Sequence, residues 1–231
     1  RVADAAVIAL DGKAGVEVGA ELGWDKAEDA GIPRAFFVNK CDDPDADFER
    51  VFGELHDKFG SAVCPVLVPV KEGKNVRFLN LISKETYTFD ASGKRTAAPF
   101  SDADTDIASA YTDTLNEALA STSEELLDKY FETAEISQEE AVEALHTGLI
   151  EGTIVPVFSG CATNLWGINF LLDTIVDSFP RPTAKKNEKI IDGDSFKDMP
   201  IDPEGECALF VFKTIADPFV GKMSFFKVMN G

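Results

Sequence analysis

Apolar positions in the first part of the chain switch between continuous runs and helical spacing. Residues 5–10 and 35–38 are continuous apolar runs of strand length. Between them, Val18 and Leu22 lie at helical spacing and predict a helix over about residues 18–30, which a glycine and a proline end. Non-alternating strands joined by a helix are typical of a parallel sheet that is covered on both faces. The pattern therefore predicts an α/β fold.

The alternation of apolar strands and amphipathic helices continues up to Gly60 and is then interrupted. A further helix is predicted by apolar residues at helical spacing, namely Phe48, Val51, Phe52, Leu55 and Phe59. Strand-like stretches follow over residues 63–70, 78–82 and 86–89, and the last of them runs into a hairpin. The strand pattern of a parallel sheet returns only at residues 154–158, before a helix over about residues 167–178.

The interrupting segment contains helices with recognisable starts. Two of them match the S-x-x-E capping pattern, Ser121 with Glu124 and Ser137 with Glu140. The first helix has one apolar stripe and an opposite acidic face: Ile107, Tyr111, Leu115 and Leu119 on one side, and Asp106, Asp113 and Glu117 on the other. We expect one face to dock against the core and the other to remain charged.

These patterns predict the domain organisation. Residues 181–205 are rich in proline and charge and are interpreted as a linker. The two strands after it are too few for an independent sheet, so we expect the chain to begin inside one domain and to stop inside a second, β-rich one. The expected parts are residues 1–60 and 154–180 in the first domain, an inserted subdomain at 61–153, the linker at 181–205, and an incomplete β-barrel at 206–231.

Composition and charge exclude several classes of protein. The 231 residues are 45% hydrophobic and carry a net charge of −19, which is typical of a globular protein that neither spans nor binds a membrane. Of this charge, −13 lies between residues 101 and 153, where 14 acidic residues stand against one lysine. Such acidity disfavours direct nucleic-acid binding. The four cysteines form no C-x-x-C pair, which favours buried thiols in a reducing cytoplasm over a metal site.

A candidate binding motif stands directly after the second apolar run. Residues 39–42 are Asn-Lys-Cys-Asp, an N-K-x-D sequence at the carboxyl end of a strand, where open α/β sheets bind ligands. The Asp42 carboxylate can accept hydrogen bonds from both N1–H and the N2 amine of guanine, a donor pair that adenine lacks. Lys40 can lay its aliphatic stem across a base, and the Asn39 amide can brace a neighbouring loop. An ordinary loop at the end of a strand is the alternative interpretation.

A second loop fits the same chemistry. The strand at residues 155–158 runs into Ser-Gly-Cys-Ala at 159–162, a loop of small residues whose backbone N–H groups are free to meet a ligand oxygen. Cys161 in this loop lies 119 residues after Asp42, which is far more than one crossover requires. The excess corresponds to the inserted subdomain.

Together these stretches resemble the bacterial translation elongation factor G family. The resemblance covers essentially all 231 residues and is most specific at residues 5–30, which include 14–19, at 39–42 and at 212–222, the last of which contains D-P-F-V-G-K. It implies a partial P-loop-GTPase-type parallel sheet with an inserted α+β subdomain, followed by the first strands of a β-barrel domain. It also implies binding of GTP and GDP, GTP hydrolysis on the ribosome, promotion of tRNA and mRNA translocation, and a cytoplasmic location.

The resemblance assigns base-binding roles residue by residue. Asn39, Lys40 and Asp42 match the family motif directly, and the backbone N–H of Ala162 matches the group that meets guanine O6. Cys161 stands where the family usually has serine. Because a thiol is a weaker donor than a hydroxyl, we expect weaker support of the loop around Asp42.

The resemblance assigns no catalytic or metal-binding residue to this chain. None of its Gly-Lys pairs is followed by Ser or Thr, as a phosphate loop requires: residues 12–13, 73–74, 93–94 and 221–222. The family's switch threonine and D-T-P-G-H element lie before Arg1, and Mg²⁺ is therefore expected only in a full-length protein. His56 and His146 lie outside the base loops. We expect the chain alone to bind GTP weakly or not at all, and not to hydrolyse it.

Two alternatives remain open at this level. The chain could serve as a protein-interaction module, in which Asp106, Asp113 and Glu117 pair with a basic patch on the ribosomal stalk protein. The family's inserted subdomain is implicated in that contact, although an ordinary solvated helix face is also consistent with the pattern. The parent could also be a recycling or ribosomal-protection paralogue, which these residues do not separate from the main translocase.

Overall fold

The computed structural model describes residues 2–73, 75–90, 92–181, 184–192 and 194–231. The chain divides into two compact units, Ala5–Phe179 and a second unit made of Arg1–Asp4 and Pro180–Gly231. The strands of the first unit are β1 (Ala6–Asp11), β2 (Arg34–Asn39), β3 (Val63–Pro65), β4 (Leu67–Glu72), β5 (Asn75–Asn80), β6 (Glu85–Phe89), β7 (Arg95–Pro99) and β8 (Val155–Ser159). Its helices are α1 (Val18–Asp29), α2 (Phe48–Phe59), α3 (Asp102–Ala120), α4 (Glu124–Thr133), α5 (Gln138–Glu151) and α6 (Ile168–Ser178).

The parallel sheet of the first unit has the strand order β1-β2-β8-β3. Every residue of β8 is buried, and so are the first five of β2. This burial explains why both strands are continuous apolar runs. The prediction of an α/β fold with a parallel sheet is confirmed, and the sheet places the carboxyl ends of β1, β2 and β8 at one edge.

Helix α1 has the expected bounds but buries a different face. Val18 and Leu22 are more than half exposed, whereas Ala20, Trp24 and Ala27 are buried. The Trp24 ring stacks on Phe59 at a centroid distance of 4.5 Å. The predicted helix is present, but Val18 and Leu22 do not form its buried face. An indole buries more apolar area than either aliphatic side chain, which explains the orientation.

The stretch at residues 63–70, predicted as one strand, forms two strands in different sheets. β3 pairs with β8 in the parallel sheet, while β4 begins a four-stranded antiparallel sheet with the order β4-β5-β6-β7. Val66 lies between them and donates its backbone N–H to the Val157 carbonyl at 2.9 Å. The chain therefore leaves the parallel sheet at residue 66, after the predicted start of the inserted subdomain at residue 61.

The helices of this segment start partly where the pattern predicts. Ser137 and Glu140 form a reciprocal capping box at α5, as expected. Ser121 is wrong as a helix start, because it ends α3 and the side chain of Ser123 caps α4 instead. A further box joins Ser101 and Asp104 at α3. Aspartate can serve at this position because its carboxylate also reaches the N-cap N–H.

The acidic face predicted on α3 is solvent-exposed. Asp106, Asp113 and Glu117 are exposed, while Leu115 and Leu119 are buried. Ile107, predicted to lie on the docking stripe, is 41% exposed. Tyr111 packs against the core, so the docking face of α3 is confirmed except at Ile107.

The second unit contains two antiparallel hairpins. β9 (Asn187–Asp192) pairs with β10 (Ser195–Pro200), and β11 (Ala208–Asp217) pairs with β12 (Gly221–Asn230). The first hairpin lies within the segment interpreted as a linker. The turn of the second hairpin is closed by Asp217 Oδ1, which accepts from the backbone N–H groups of Phe219 and Val220 at 2.8 Å each.

Three of the four cysteines have the predicted burial. Cys41, Cys64 and Cys161 are free and buried as expected, whereas Cys207 is exposed, which contradicts the expectation for that thiol. Within the part of the chain that the structure describes, no helix combines the length and apolar character needed to cross a membrane.

Candidate functional site

Three loops meet at one edge of the parallel sheet. They follow β1, β2 and β8, and each begins where its strand ends, at Asp11, Asn39 and Ser159. Because these strands are adjacent and parallel, their carboxyl ends lie side by side. The loops after β2 and β8 contain all five residues singled out for base binding, and the structure brings these residues together.

The N-K-x-D loop turns sharply as it leaves β2. Lys40 adopts a left-handed backbone conformation with φ +60°. The turn directs Cys41 inward, where its Sγ donates to the Val38 carbonyl at 3.3 Å, and leaves Asp42 exposed. Burial raises the pKa of the Cys41 thiol to about 12, so this side chain stays protonated. The loop thus presents the Asp42 carboxylate to solvent.

Hydrogen bonds connect the N-K-x-D loop to the loop after β8. Gly160 donates its N–H to the Val38 carbonyl and accepts from the Cys41 N–H, both at 2.9 Å. The Ala162 N–H donates to Asn39 Oδ1, also at 2.9 Å. The bracing contact expected of the Asn39 amide is therefore present.

Two glycines allow the loop after β8 to close. A Cβ on Gly160 would lie 2.1 Å from the Trp166 carbonyl oxygen, and a Cβ on Gly167 would lie 2.2 Å from the Ser159 carbonyl oxygen. Gly167 also has φ +75°. Their absent side chains let Cys161 and Trp166 exchange two backbone hydrogen bonds of 2.9 Å. The small-residue composition of this loop is thus a steric requirement.

The Asp42 carboxylate has two partners in the loop after β8. Asn164 Nδ2 donates to Asp42 Oδ2 at 3.3 Å. The Cys161 thiol lies close to the same carboxylate: burial, followed by the interaction with Asp42, raises the pKa of Cys161. A thiol therefore lies beside Asp42 where the family usually has a hydroxyl. Sequence reasoning missed Asn164, because only the closed loop brings it to Asp42.

The Lys40 side chain reaches the loop after β1. Its Nζ contacts Asp11 Oδ2 at 2.6 Å. The hydrogen bond from Lys40, followed by that from the Lys13 N–H, lowers the pKa of Asp11. Sequence reasoning also missed Asp11. Its signal was available, since a carboxylate ends the apolar strand β1 at the same edge of the sheet.

The amino-acid sequence matches one family model over most of its length. The model describes the elongation factor Tu GTP binding domain and matches residues 1–181. The chain belongs to this family. As a member of the elongation factor Tu GTP-binding domain family, it falls within the translational GTPases, whose domains bind guanine nucleotides.

A solved structure supports the fold over the whole chain. The crystal structure of a protein from Thermus thermophilus superimposes with a TM-score of 0.79 at 26% sequence identity. The match covers 100% of this chain and 32% of the Thermus chain. The present chain therefore spans about a third of that protein. The α/β class, with antiparallel strands after the GTPase-type sheet, is confirmed.

Metal-binding side chains are not clustered in the described ranges. Across residues 2–73, 75–90, 92–181, 184–192 and 194–231, no three His, Cys, Asp or Glu side chains are arranged to hold an ion. We therefore assign Mg²⁺ to no residue of this chain. His56 and His146 lie on α2 and α5, outside the three loops.

Proposed function

We propose that this chain provides the guanine-selecting part of a translational GTPase that promotes movement of tRNA and mRNA through the ribosome. Family membership supports the GTPase part of the proposal, and the Thermus structure supports the fold. The translocation role is supported by the resemblance to elongation factor G, which is carried by residues 14–19, 39–42 and 212–222. The ribosome is the proposed partner and the cytoplasm the proposed location.

The observation that carries the proposal is the pairing of Asp42 with the loop after β8. Asp42 is exposed, and its carboxylate accepts a hydrogen bond of 3.3 Å from Asn164 Nδ2. Ala162 lies in the same loop and is joined to Asn39. A carboxylate acceptor and a backbone N–H donor therefore belong to two loops that are hydrogen-bonded to each other. This arrangement fits the N1–H, N2 amine and O6 of guanine and mismatches adenine.

Each residue has a distinct role in binding. Asp42 accepts from the two guanine donors, and the Ala162 N–H supplies the donor for O6. Lys40 lays its stem along the base while its ammonium stays with Asp11. Asn39 joins the two loops, and Cys161 supports Asp42. None of these groups acts on the γ-phosphate, so they select the nucleotide and do not hydrolyse it.

Replacement of Asp42 by Asn tests base selection. An amide offers one acceptor and one donor, which mismatches guanine and matches xanthine, where an oxygen replaces the amine. We expect Asp42→Asn to lower the ratio of GDP to XDP affinity by about tenfold or more. Titrations followed by NMR with millimolar nucleotide measure this ratio. Asp25→Asn, at an exposed carboxylate of α1, is the matched control. An unchanged ratio in Asp42→Asn would refute the proposed role.

A second proposed function is recognition of the ribosomal stalk protein. The acidic residues Asp106, Asp113 and Glu117 are exposed on α3, while the opposite side of the helix packs on the core. An exposed face of one sign suits a partner with a basic patch. The family resemblance supports the stalk protein as that partner.

Charge reversal tests the stalk interaction. We expect lysine at Asp106, Asp113 and Glu117 to weaken stalk-protein binding at low salt by about tenfold, and to reduce its salt dependence. Binding is measured by calorimetry at two salt concentrations. The same number of reversals at Asp25, Asp29 and Glu28, around the end of α1, controls for net charge. Equal affinity of the α3 variant and the unmodified chain would end this proposal.

A further inference from the structure

β4 contacts both loops of the candidate base site, although it belongs to the antiparallel sheet. Its first residue, Leu67, accepts a hydrogen bond of 2.7 Å through its carbonyl from the buried hydroxyl of Ser159. Ser159 directly precedes the loop that contains Cys161 and Ala162. Four residues further along β4, Lys71 reaches the loop that contains Asp42. One strand thus spans both loops over about 13 Å.

The contact of Lys71 is made entirely with backbone carbonyls. Its Nζ donates to the carbonyl oxygens of Asp43 and Ala46, both at 2.6 Å. Among the described residues, no carboxylate lies close enough to Lys71 for a salt bridge. An ammonium that is half-buried against two carbonyls forms charge-assisted hydrogen bonds, which are stronger than neutral ones. Lys71 therefore fixes both ends of the turn that follows Asp42.

The turn also has local bonds and contacts with the loop after β1. The Asp43 N–H donates to the Lys40 carbonyl at 3.0 Å, and the Ala46 N–H donates to the Asp43 carbonyl at 3.1 Å. Both bonds close within a few residues. Two further contacts tie the turn to the loop after β1: Lys13 Nζ contacts Asp45 Oδ2 at 2.5 Å, and the Asp47 N–H donates to the Gly12 carbonyl at 2.9 Å. Lys71 supplies the contact with β4, and it holds the carbonyl of Asp43, the residue that follows Asp42.

We propose that Lys71 is a positioning residue for Asp42, and that β4 thereby couples the antiparallel sheet to the guanine-binding loops. The proposal rests on the proposed base site. It implies that a change in the position of β4 alters guanine affinity, and that a bound base restrains β4 in return, because coupling between two sites is reciprocal.

Substitution of Lys71 by Met tests the proposal with two independent measurements. Methionine keeps most of the aliphatic stem and removes the donors. The first measurement is amide hydrogen exchange without nucleotide. We expect exchange of the Cys41 and Asp43 amides to become about tenfold faster in Lys71→Met and to return towards normal in Lys71→Arg, which restores donors. Lys26→Met, at an exposed lysine of α1, should leave these amides unchanged.

The second measurement compares GDP with IDP, which lacks the N2 amine that Asp42 would accept from. NMR titrations should show a several-fold lower GDP-to-IDP affinity ratio in Lys71→Met, a change that a general loss of stability would not cause. Unchanged amide exchange in Lys71→Met overturns the positioning role, and so does an unchanged ratio. If exchange quickens but the unmodified chain responds to neither nucleotide, the positioning role stands and the proposed guanine site fails.

Discussion

The polar groups of the base site are already hydrogen-bonded within the chain. Asp42 accepts from Asn164, and the Ala162 N–H donates to Asn39. Binding of a guanine base would therefore replace hydrogen bonds within the chain by hydrogen bonds to the base. Such replacements contribute little to the free energy of binding. This is a physical reason to expect the base contacts to supply selectivity, with most of the affinity for a nucleotide coming from phosphate contacts elsewhere.

Gly160 is the residue at which a small change should disrupt the site most. An added Cβ would lie 2.1 Å from the Trp166 carbonyl oxygen and 2.9 Å from the Phe37 ring, so the loop after β8 would have to move. We expect Gly160→Ala to lower the free energy of unfolding by about 1–3 kcal/mol. Urea denaturation measures the change.

The matched control for Gly160 is Gly53 in the middle of α2, where an added Cβ meets no atom within 4 Å. Gly53→Ala should raise stability by about 0.5–1 kcal/mol, because alanine favours the helix. Equal urea midpoints for Gly160→Ala and the unmodified chain would show that the loop tolerates a side chain.

Residues of the site differ in how far the sequence predicts them. Asn39, Lys40 and Asp42 form a local motif at the end of an apolar strand, so their placement follows from the chain order alone. Asn164 and Lys71 come from other loops and strands, and only the tertiary arrangement brings them to the turn around Asp42. Their contacts depend on register and loop closure, which residue patterns do not encode.

At the scale of elements, one buried cluster fixes α3 on the antiparallel sheet. Asp104 is 5% exposed and accepts from Arg77 Nε at 2.9 Å, Thr86 Oγ1 at 3.0 Å and the Ser101 hydroxyl at 2.8 Å. Burial opposes ionisation of Asp104, but these hydrogen bonds and that of the Ser101 N–H outweigh it and lower its pKa to about 2. The cluster joins β5, β6 and α3.

The Asp104 cluster gives stability a defined pH dependence. Since the pKa is lowered on folding, the stabilisation is complete above the unfolded value of about 4 and is lost as pH falls towards 2. We expect Asp104→Asn to cost about 2–3 kcal/mol of unfolding free energy at neutral pH, with the deficit shrinking between about pH 4 and pH 2. Urea denaturation across this range checks both. Asp106→Asn, on the exposed face of the same helix, should change little, and a deficit for Asp104→Asn that is independent of pH would contradict the assignment.

Element type was predictable more often than element orientation. The apolar runs locate β1, β2 and β8, because strands buried on both faces are apolar throughout. The helical spacings locate α1, α2 and α6, because a helix buried on one face repeats its apolar residues every three or four positions. The face of α1 was not predictable, since Trp24 finds its partners on β2 and α2. The change from the parallel to the antiparallel sheet at Val66 was also not predictable, because the chain stays apolar on both sides of this residue.

At the scale of the whole molecule, charge and binding chemistry occupy different parts of the first unit. Residues 101–153 carry −13 of the net charge of −19, mainly on α3, α4 and α5. The base loops lie at the edge of the parallel sheet, and β4 stands between the two regions in the chain order. The two proposed functions therefore depend on different elements of the chain.

The central claim is that the loops after β2 and β8 form a guanine-selective site. NMR spectra of the isotope-labelled chain, recorded with millimolar GDP and then with millimolar ADP, test it most directly. We predict that GDP shifts the backbone amide signals of Cys41, Asp42 and Ala162, while ADP leaves them in place. Equal shifts with both nucleotides, or no shift of these amides with GDP, would contradict the claim.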